Sequence, residues 1–167
     1  MIFGRVWKFG DDINTDLMLP GPLLTATEAE QARAVFAANR PGWVDQVRPG
    51  DVIIGGRNFG TGSSRPAARS LRNVGLACLV AESINGLFFR NAVSFGFLAL
   101  ECRGVHAAFE EGQTAEVSLA DRAVRNRDTG AVLQVKPVPE RLLSLMTSGG
   151  IYPLLESEGL IAPRAAS

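Results

Sequence analysis

The sequence predicts an α/β domain with a mostly parallel central sheet flanked by helices. Three short apolar segments, residues 51–54, 76–81 and 97–102, alternate with two segments of helical composition, residues 65–72 and 84–94. Strands and helices that alternate at this spacing form neighbouring parallel strands with helices packed against the sheet. Because 46% of the 167 residues are hydrophobic, the whole chain is expected to form one domain with its own core.

The amino-terminal part predicts a strand, a turn and a helix. Residues 2–9 alternate well enough to form a first strand, and residues 10–16 form an acidic turn. The turn superficially resembles a calcium loop but lacks the glycine and the distal glutamate at the required offsets, so a capping or interface role is favoured over metal. Residues 20–27 are a stiff turn, and Thr27 with Glu30 forms a capping box that opens a helix running to Ala38.

The segment after residues 51–54 carries the chemistry. A glycine-rich and hydroxyl-rich loop, residues 58–64, leads to a helix predicted to begin at residues 64–66, with Pro66 in a first helical position. The amino terminus of that helix would direct unpaired N–H groups and a partial positive charge at the loop. The pattern fits an anion site, and it equally fits an ordinary turn in which Ser63 or Ser64 is the helix cap. It lacks the lysine and the glycine spacing of nucleotide-binding loops.

The rest of the chain predicts a smaller β part and one helix near the carboxyl terminus. Strands are predicted at three places, with a hairpin turn at residues 128–130 between the last two. These strands are residues 116–119, 123–126 and 131–135. His106 stands at the start of this part, near a strand end, where a structural role is more usual than a catalytic one. Residues 139–146 predict a helix, residues 151–155 an irregular segment, and residues 157–167 a frayed tail.

Charge and cysteine content exclude several classes of function. Seventeen basic and seventeen acidic residues cancel, which leaves no electrostatic basis for binding nucleic acid or an acidic membrane. The apolar runs are too short to span a bilayer and no signal peptide is visible, so the protein is expected to be cytoplasmic. Cys78 and Cys102 lie in apolar segments and are predicted to be buried free thiols. An iron–sulfur cluster needs about three or four thiolates, so no cofactor is expected on this chain.

Four stretches together resemble one known family. Residues 58–65, NFGTGSSR, resemble the N-F-G-x-G-S-S-R signature of the small subunit of isopropylmalate dehydratase and of the equivalent mobile domain of aconitase. The other matches keep their order over roughly residues 4–102. They are residues 10–16 with 19–21, which resemble G-D-x-I-x-T-D…P, residues 81–83 with 88–92, which resemble A-E-S…F-x-R-N-A, and residues 96–102, which resemble G-x-x-x-x-E-C. The chain is identified as a member of this family.

The resemblance implies a fold and an activity. The fold is an aconitase-like swivelling β/β/α domain, and the activity is a hydro-lyase that moves a hydroxyl between adjacent carbons of a malate-type acid through an alkene. Ser63 is implied as the catalytic base and Arg65 as the ligand of a substrate carboxylate, with Gly62 and Ser64 as further substrate-binding residues. Helix-terminal N–H groups and a guanidinium are suitable stabilisers of a serine alkoxide, and the planar fork of arginine suits a carboxylate.

The family selects its substrate through the loop after the first proline. Members that accept a second distal carboxylate tend to place an arginine there, whereas this chain has Leu23, Leu24 and Thr25. These residues suit an alkyl group, and the alternative is that the two leucines pack under the following helix. The usual Glu-His after the signature is replaced by Pro66 and Ala67, which leaves open which substituted malate is used. Isopropylmalate leads, and dimethylmalate, citramalate and homoaconitate remain alternatives.

The resemblance also implies partners. A separate large subunit is expected to carry a four-iron four-sulfur cluster, and a small hydroxy acid is expected as substrate. Two other classes of function remain. One is a non-catalytic anion-binding or regulatory module that uses the same loop. The other is a serine hydrolase, which is disfavoured because Ser63 lacks the G-x-S-x-G elbow and His106 is the only histidine.

Overall fold

The computed structural model describes residues 1–163, and a seven-stranded sheet is the centre of the fold. The spatial order of the strands is β4-β3-β2-β1-β5-β6-β7. The strands are β1 (Ile2–Lys8), β2 (Val52–Gly55), β3 (Cys78–Ala81), β4 (Leu98–Glu101), β5 (Thr114–Ser118), β6 (Ala123–Asn126) and β7 (Val132–Gln134). All the predicted strands are present, with ends shifted by one to a few residues.

Strand β1 joins the parallel and antiparallel parts of the sheet. On one side Val6 pairs with Val52 of β2 in parallel, and on the other side Ile2 pairs with Val117 of β5 in antiparallel. The smaller β part predicted from the sequence is therefore continuous with the parallel part. Strands β2 and β3 are buried at every position, as expected for parallel strands covered on both faces, which confirms the α/β fold class.

Besides a short 3-10 helix at residues 21–23, the described chain has eight α-helices, which cover this sheet. They are α1 (Thr15–Met18), α2 (Glu28–Arg33), α3 (Trp43–Gln46), α4 (Ala67–Val74), α5 (Gly86–Phe95), α6 (Val105–Ala108), α7 (Glu140–Thr147) and α8 (Ile151–Ser157). The capping box of Thr27 and Glu30 is confirmed, because each side chain accepts a hydrogen bond from the other residue's backbone. Helix α5 ends at Gly96, whose left-handed φ of 66° is usual for a glycine that follows a helix.

The prediction of a helix as far as Ala38 is wrong, because α2 ends at Arg33. Beyond it the chain turns inward at Phe36, which has φ of 57° and donates its N–H to the carbonyl of Leu17 at 2.7 Å. Phe36 is fully buried and stacks on Phe9 with ring centroids 4.4 Å apart. Burial of this ring ends the helix.

Three further predictions need correction. The helix after the glycine-rich loop begins at Ala67 instead of at residues 64–66. His106 lies in the short helix α6, which follows β4, and not at a strand end. Residues 151–155 are helical. Pro153 is compatible with the helix because it lies in the first turn of α8, where a backbone N–H would have no helical acceptor. The tail predicted at residues 157–167 begins at Ser157, the last residue of α8. Residues 164–167 of this tail lie outside the described range.

A buried carboxylate ties the sheet to the segment before β2. Asp51 is 4% exposed and accepts from the Arg48 N–H at 2.9 Å, from Arg5 Nη2 at 2.8 Å and from Trp7 Nε1 at 2.8 Å. Burial alone would raise the pKa of Asp51, but these donors outweigh it and hold the pKa below its ordinary value of 3.8. The carboxylate is therefore charged in the folded protein at neutral pH.

Both cysteines are buried free thiols, as predicted. Burial raises the pKa of Cys78 to about 12. Burial, with Glu82 nearby, raises the pKa of Cys102 to about 11, and its thiol donates to the carbonyl of Gln134. Neither group favours the thiolate form that a metal ligand requires. None of the helices within residues 1–163 is long and apolar enough to cross a membrane.

Candidate functional site

The glycine-rich loop between β2 and α4 is held by the acidic turn that follows β1. Asn14 forms a parallel bridge with Thr61, and the backbone N–H of Thr15 donates to the carbonyl of Thr61 at 2.8 Å. The hydroxyl of Thr15, a residue 2% exposed, donates to the carbonyl of Ser63 at 2.8 Å. The backbone position of Ser63 is thus set by a residue 48 positions earlier in the chain.

Two glycines allow the close approach of this loop to its neighbours. Gly60 has φ of 81°, and a Cβ there would lie 2.3 Å from the Phe88 side chain. Gly62 has φ of 98°, and a Cβ there would lie 2.6 Å from Asn14 Oδ1. Both positions therefore need glycine for conformation and for space.

The tip of the loop presents hydrogen-bond donors without partners in this chain. Gly62, Ser63 and Ser64 are exposed. Within residues 1–163, no acceptor is bound by the backbone N–H groups of residues 62–65 or by the two serine hydroxyls. Successive free N–H groups beside hydroxyls are a suitable environment for a carboxylate or a developing oxyanion.

Arg65 lies beside these donors and is anchored to the acidic turn and the residues after it. Its Nη1 donates to the carbonyl of Leu19 at 2.9 Å, and its Nη2 lies 2.8 Å from Asp16 Oδ1. The side chain is only 16% exposed. A guanidinium has more N–H donors than these two contacts use, so it retains donors for a second carboxylate.

The beginning of α4 differs from the sequence-based expectation. Neither Ser63 nor Ser64 caps the helix, whose cap position is Pro66 without a side-chain hydrogen bond. The first helical N–H groups are already used, because Ala67 donates to the Arg65 carbonyl at 2.7 Å and Ala68 donates to Asn91 Oδ1 at 2.9 Å. The donors available to an anion are therefore those of residues 62–65, whereas the first two N–H groups of the helix are already bound.

The remaining family motifs build the support of this loop. The backbone N–H of Asn58 donates to Ser83 Oγ at 2.8 Å, and its side-chain nitrogen donates to Asp12 Oδ1 at 2.9 Å. Glu82 accepts the N–H groups that open α6, from Gly104 at 2.8 Å and from His106 at 2.9 Å. The motifs at residues 10–16 and 81–83 thus contribute polar side chains that fix turns at the carboxyl edge of the parallel strands.

His106 is placed away from the serine loop. It lines a separate polar concavity of about 490 Å³ with Asp11, Arg57, Glu82 and Ala107. The hydroxyl of Ser63 has no hydrogen bond to a histidine or to another described residue, so the arrangement of a serine hydrolase is absent from residues 1–163.

The loop predicted to select the substrate lies next to Arg65. A Cβ on Gly21 would be 3.6 Å from Arg65 Nη1, so the turn at residues 21–23 borders the guanidinium. Leu23 is partly buried against the core, as the packing alternative predicts. Leu24 is 46% exposed and Thr25 is also exposed, so these two side chains remain available for contact.

The sequence identifies three supporting residues only in part. By the family resemblance Thr15 and Asp16 lie near the site and position the following loop, but the atoms they contact are visible only in the structure, and Asn91 is expected at the edge of the core or at a partner interface. Their chemical type could have indicated this role. A hydroxyl, a carboxylate and an amide within family motifs are natural hydrogen-bond partners for a glycine-rich loop.

Comparison with known proteins identifies the family. Residues 20–104 match the family described as the aconitase C-terminal domain, which is about half of the chain. The chain belongs to this family.

Similar proteins extend the match to almost the whole chain. The small subunit 1 of 3-isopropylmalate dehydratase from Methanopyrus kandleri is 44% identical, over 99% of this chain and 96% of that protein. The small subunit of isopropylmalate/citramalate isomerase from Methanocaldococcus jannaschii is 39% identical over 95% of both chains. The small subunit of methanogen homoaconitase from Methanothermobacter thermautotrophicus is 38% identical, over 90% of this chain and 88% of that one.

A solved structure agrees with the fold. The crystal structure of 3-isopropylmalate dehydratase from Methanocaldococcus jannaschii superposes with a TM-score of 0.88, at 29% identity, and covers 95% of each chain. The family fold expected from the resemblance is therefore confirmed.

Proposed function

We propose that this chain is the small subunit of a two-component hydro-lyase of the isopropylmalate dehydratase type. The observation that carries the proposal is the exposed loop of residues 62–65, whose N–H groups and serine hydroxyls have no partner within residues 1–163. Such a surface can bind a carboxylate but cannot enclose it. It therefore fits one half of an active site whose other half is supplied by a second subunit. The relatives named as small subunits of isopropylmalate dehydratase or isomerase support the same assignment.

Ser63 is proposed as the base of the reaction. Its deprotonated Oγ takes the proton from the substrate carbon next to the one that carries the hydroxyl, and loss of that hydroxyl leaves the alkene. Addition of the elements of water in the opposite sense forms the isomer. The free N–H groups of residues 62–65 stabilise negative charge at Oγ and at the substrate carboxylate, because they are oriented before the reaction begins.

Arg65 is proposed to bind a substrate carboxylate, with Ser64 and Gly62 contributing donors beside it. The contacts of Arg65 with Asp16 and Leu19 hold its planar group in one orientation. A preoriented guanidinium loses little freedom when it binds a carboxylate through paired hydrogen bonds, which favours arginine over lysine here.

An alkylmalate is proposed as the substrate, with 3-isopropylmalate as the leading choice. Leu23, Leu24 and Thr25 offer no cation for a distal carboxylate, whereas the exposed Leu24 offers apolar surface to an alkyl group. Dimethylmalate and citramalate satisfy the same requirement. A homoaconitate-type tricarboxylate is the second candidate, and the relative named as a homoaconitase small subunit favours it.

The partner is proposed to be a large subunit that carries a four-iron four-sulfur cluster. Membership of the aconitase family suggests such a cluster, and the residues of this chain do not suit it. Cys78 and Cys102 are buried with raised pKa values, and residues 1–163 contain no group of three side chains able to hold a metal. The cluster is expected to act on the leaving hydroxyl as a Lewis acid. The protein is proposed to be cytoplasmic, which is the location expected of a biosynthetic enzyme of this kind.

The test is a reconstituted complex of this chain with a large subunit, assayed with isopropylmalate and with a homocitrate-type tricarboxylate. Ser63→Ala should lower kcat by about 1,000-fold or more with little change in KM, as expected for a group that acts in the transition state. Arg65→Lys should chiefly raise KM. Leu24→Arg should shift the kcat/KM ratio towards the tricarboxylate by about tenfold or more, because it supplies a cation for the distal carboxylate.

The matched control is Ser64→Ala, which removes a hydroxyl from the neighbouring exposed residue. Near-normal turnover of Ser63→Ala would show that Ser63 is not the base, and an equal loss in both alanine variants would remove the distinction between the two serines. A wild-type complex without hydro-lyase activity on any substituted malate, but with anion binding by the free chain, would favour a non-catalytic binding module instead.

A further inference from the structure

We propose that Gln31 is a positioning residue for substrate selection, because its buried amide fixes the loop of residues 23–26 to helix α4. The inference rests on the function proposed above, in which this loop faces the substrate. Gln31 lies on α2, is 2% exposed, and does not belong to the serine loop.

The nitrogen of the Gln31 amide is shared by three backbone carbonyls of the selecting loop. Nε2 donates to the carbonyl of Leu23 at 3.0 Å, to that of Ala26 at 3.2 Å and to that of Leu24 at 3.3 Å. The other hydrogen bonds of this loop are short-range turns, such as the Leu24 N–H to the Gly21 carbonyl at 3.1 Å. The single buried amide is therefore what draws the three carbonyls to one point.

The oxygen of the same amide is bound from the opposite side. Gln31 Oε1 accepts from Arg69 Nη2 at 3.0 Å, and Arg69 Nη1 lies 3.2 Å from Glu28 Oε1. The guanidinium of Arg69 also stacks over the ring of Phe95, with its central carbon 5.3 Å from the ring centroid. Arg69 is thus fixed by three groups and provides a rigid attachment point on α4.

This connection links the selecting loop to the proposed base. Arg69 lies on α4, which begins at Ala67, directly after the loop that carries Ser63 and Arg65. The path from the carbonyls of residues 23–26 through Gln31 to α4 therefore sets where Leu24 and Thr25 stand relative to the reacting carbon. Loss of the amide would leave their chemistry intact and remove their fixed position.

The chemistry of the position is specific to glutamine. An amide donates at one end and accepts at the other, and both capacities are used here. Glutamate would keep the contact with Arg69 but would place a carboxylate oxygen against backbone carbonyls. Methionine has a similar length and no amide, so Gln31→Met removes both sets of hydrogen bonds with little change in volume.

The first measurement is amide hydrogen exchange of the free chain. Gln31→Met should speed exchange in a peptide that covers residues 21–27 by about tenfold, and should leave the core strand at residues 78–81 unchanged, because local opening is set by local contacts. Gln46→Met is the matched control, since Gln46 is exposed and its amide, among the residues that the structure describes, donates only to the carbonyl of Gly42, the cap residue of its own helix, at 3.2 Å. Unchanged exchange in Gln31→Met would overturn the proposal.

The second measurement is the ratio of kcat/KM for isopropylmalate to kcat/KM for a homocitrate-type tricarboxylate, in the reconstituted complex. Gln31→Met should lower the preference by about tenfold while Gln46→Met keeps the wild-type ratio. If Leu24→Arg moves the ratio and Gln31→Met does not, the loop contacts the substrate and the role of Gln31 is wrong. If neither variant moves it, the loop does not face the substrate, and both the substrate assignment and the role of Gln31 are overturned.

Discussion

Replacement of Thr15 by valine tests whether the acidic turn positions Ser63, the proposed base. The change is nearly isosteric and removes the hydrogen bond of 2.8 Å from the threonine hydroxyl to the Ser63 carbonyl. The backbone bond from the Thr15 N–H to Thr61 remains, so the bridge between the turn and the loop is retained.

The loss of stability should be small. Ser63 is exposed, so water can replace the lost donor, and removal of one neutral hydrogen bond costs about 0.5–1.5 kcal/mol. The loss of activity should be larger, because a displacement of about 1 Å at a reacting group costs about 100-fold in rate. We therefore expect kcat of the reconstituted complex to fall by about 10- to 100-fold, with KM changed by less than about threefold.

Two controls separate positioning from folding. Thr15→Ser keeps the hydroxyl and should restore most of kcat. Thr147→Val makes the same chemical change where the hydroxyl donates to the Leu143 carbonyl at 2.9 Å on an exposed helix, and it should leave kcat unchanged. A Thr15→Val complex that turns over at the wild-type rate, with a measurably lower free energy of unfolding in urea, would refute the positioning role.

Two predictions concern stability. Gly60→Ala should lower the free energy of unfolding by about 2–4 kcal/mol, because the new Cβ would lie 2.3 Å from Phe88 and the φ of Gly60 is 81°. The measurement is a urea titration, and its control is Gly10→Ala, because a Cβ on Gly10 meets nothing within 4 Å. Asp51 stabilises the fold above pH 3.8, and that stabilisation is lost as the pH falls through the lowered pKa of Asp51 in the folded protein. Asp51→Asn should therefore lower the free energy of unfolding at pH 7 and reduce its dependence on pH on the acid side. The exposed Asp45→Asn is the control, and an unchanged acid profile in Asp51→Asn would contradict the assignment.

The sequence by itself determined the local elements and indicated the candidate site. Apolar segments bounded by glycine and proline specify strands, the pair Thr27 and Glu30 specifies the start of α2, and Gly96 specifies the end of α5. The signature at residues 58–65 identified the family without any structure. These features are readable because each depends on residues within a few positions of one another.

The helix boundary predicted from local composition was wrong where a side chain is buried in the core. The alanine-rich composition after Glu30 favours a long helix, yet the helix ends where Phe36 turns into the core beside Phe9. Helix propensity contributes only tenths of a kcal/mol per residue, whereas burial of an aromatic ring contributes about 2 kcal/mol or more. The tertiary contact therefore decides where α2 ends.

Only the tertiary structure decided how the site is held. The hydrogen bond from Thr15 to Ser63 spans 48 positions, and the bond from Arg69 to Gln31 spans 38. Nothing periodic in the chain indicates these pairs, because they exist only after β1 and β2 are placed side by side and α2 is packed on α4. The residues proposed to carry the chemistry were visible in the sequence, but their supports depend on which strands and helices become neighbours.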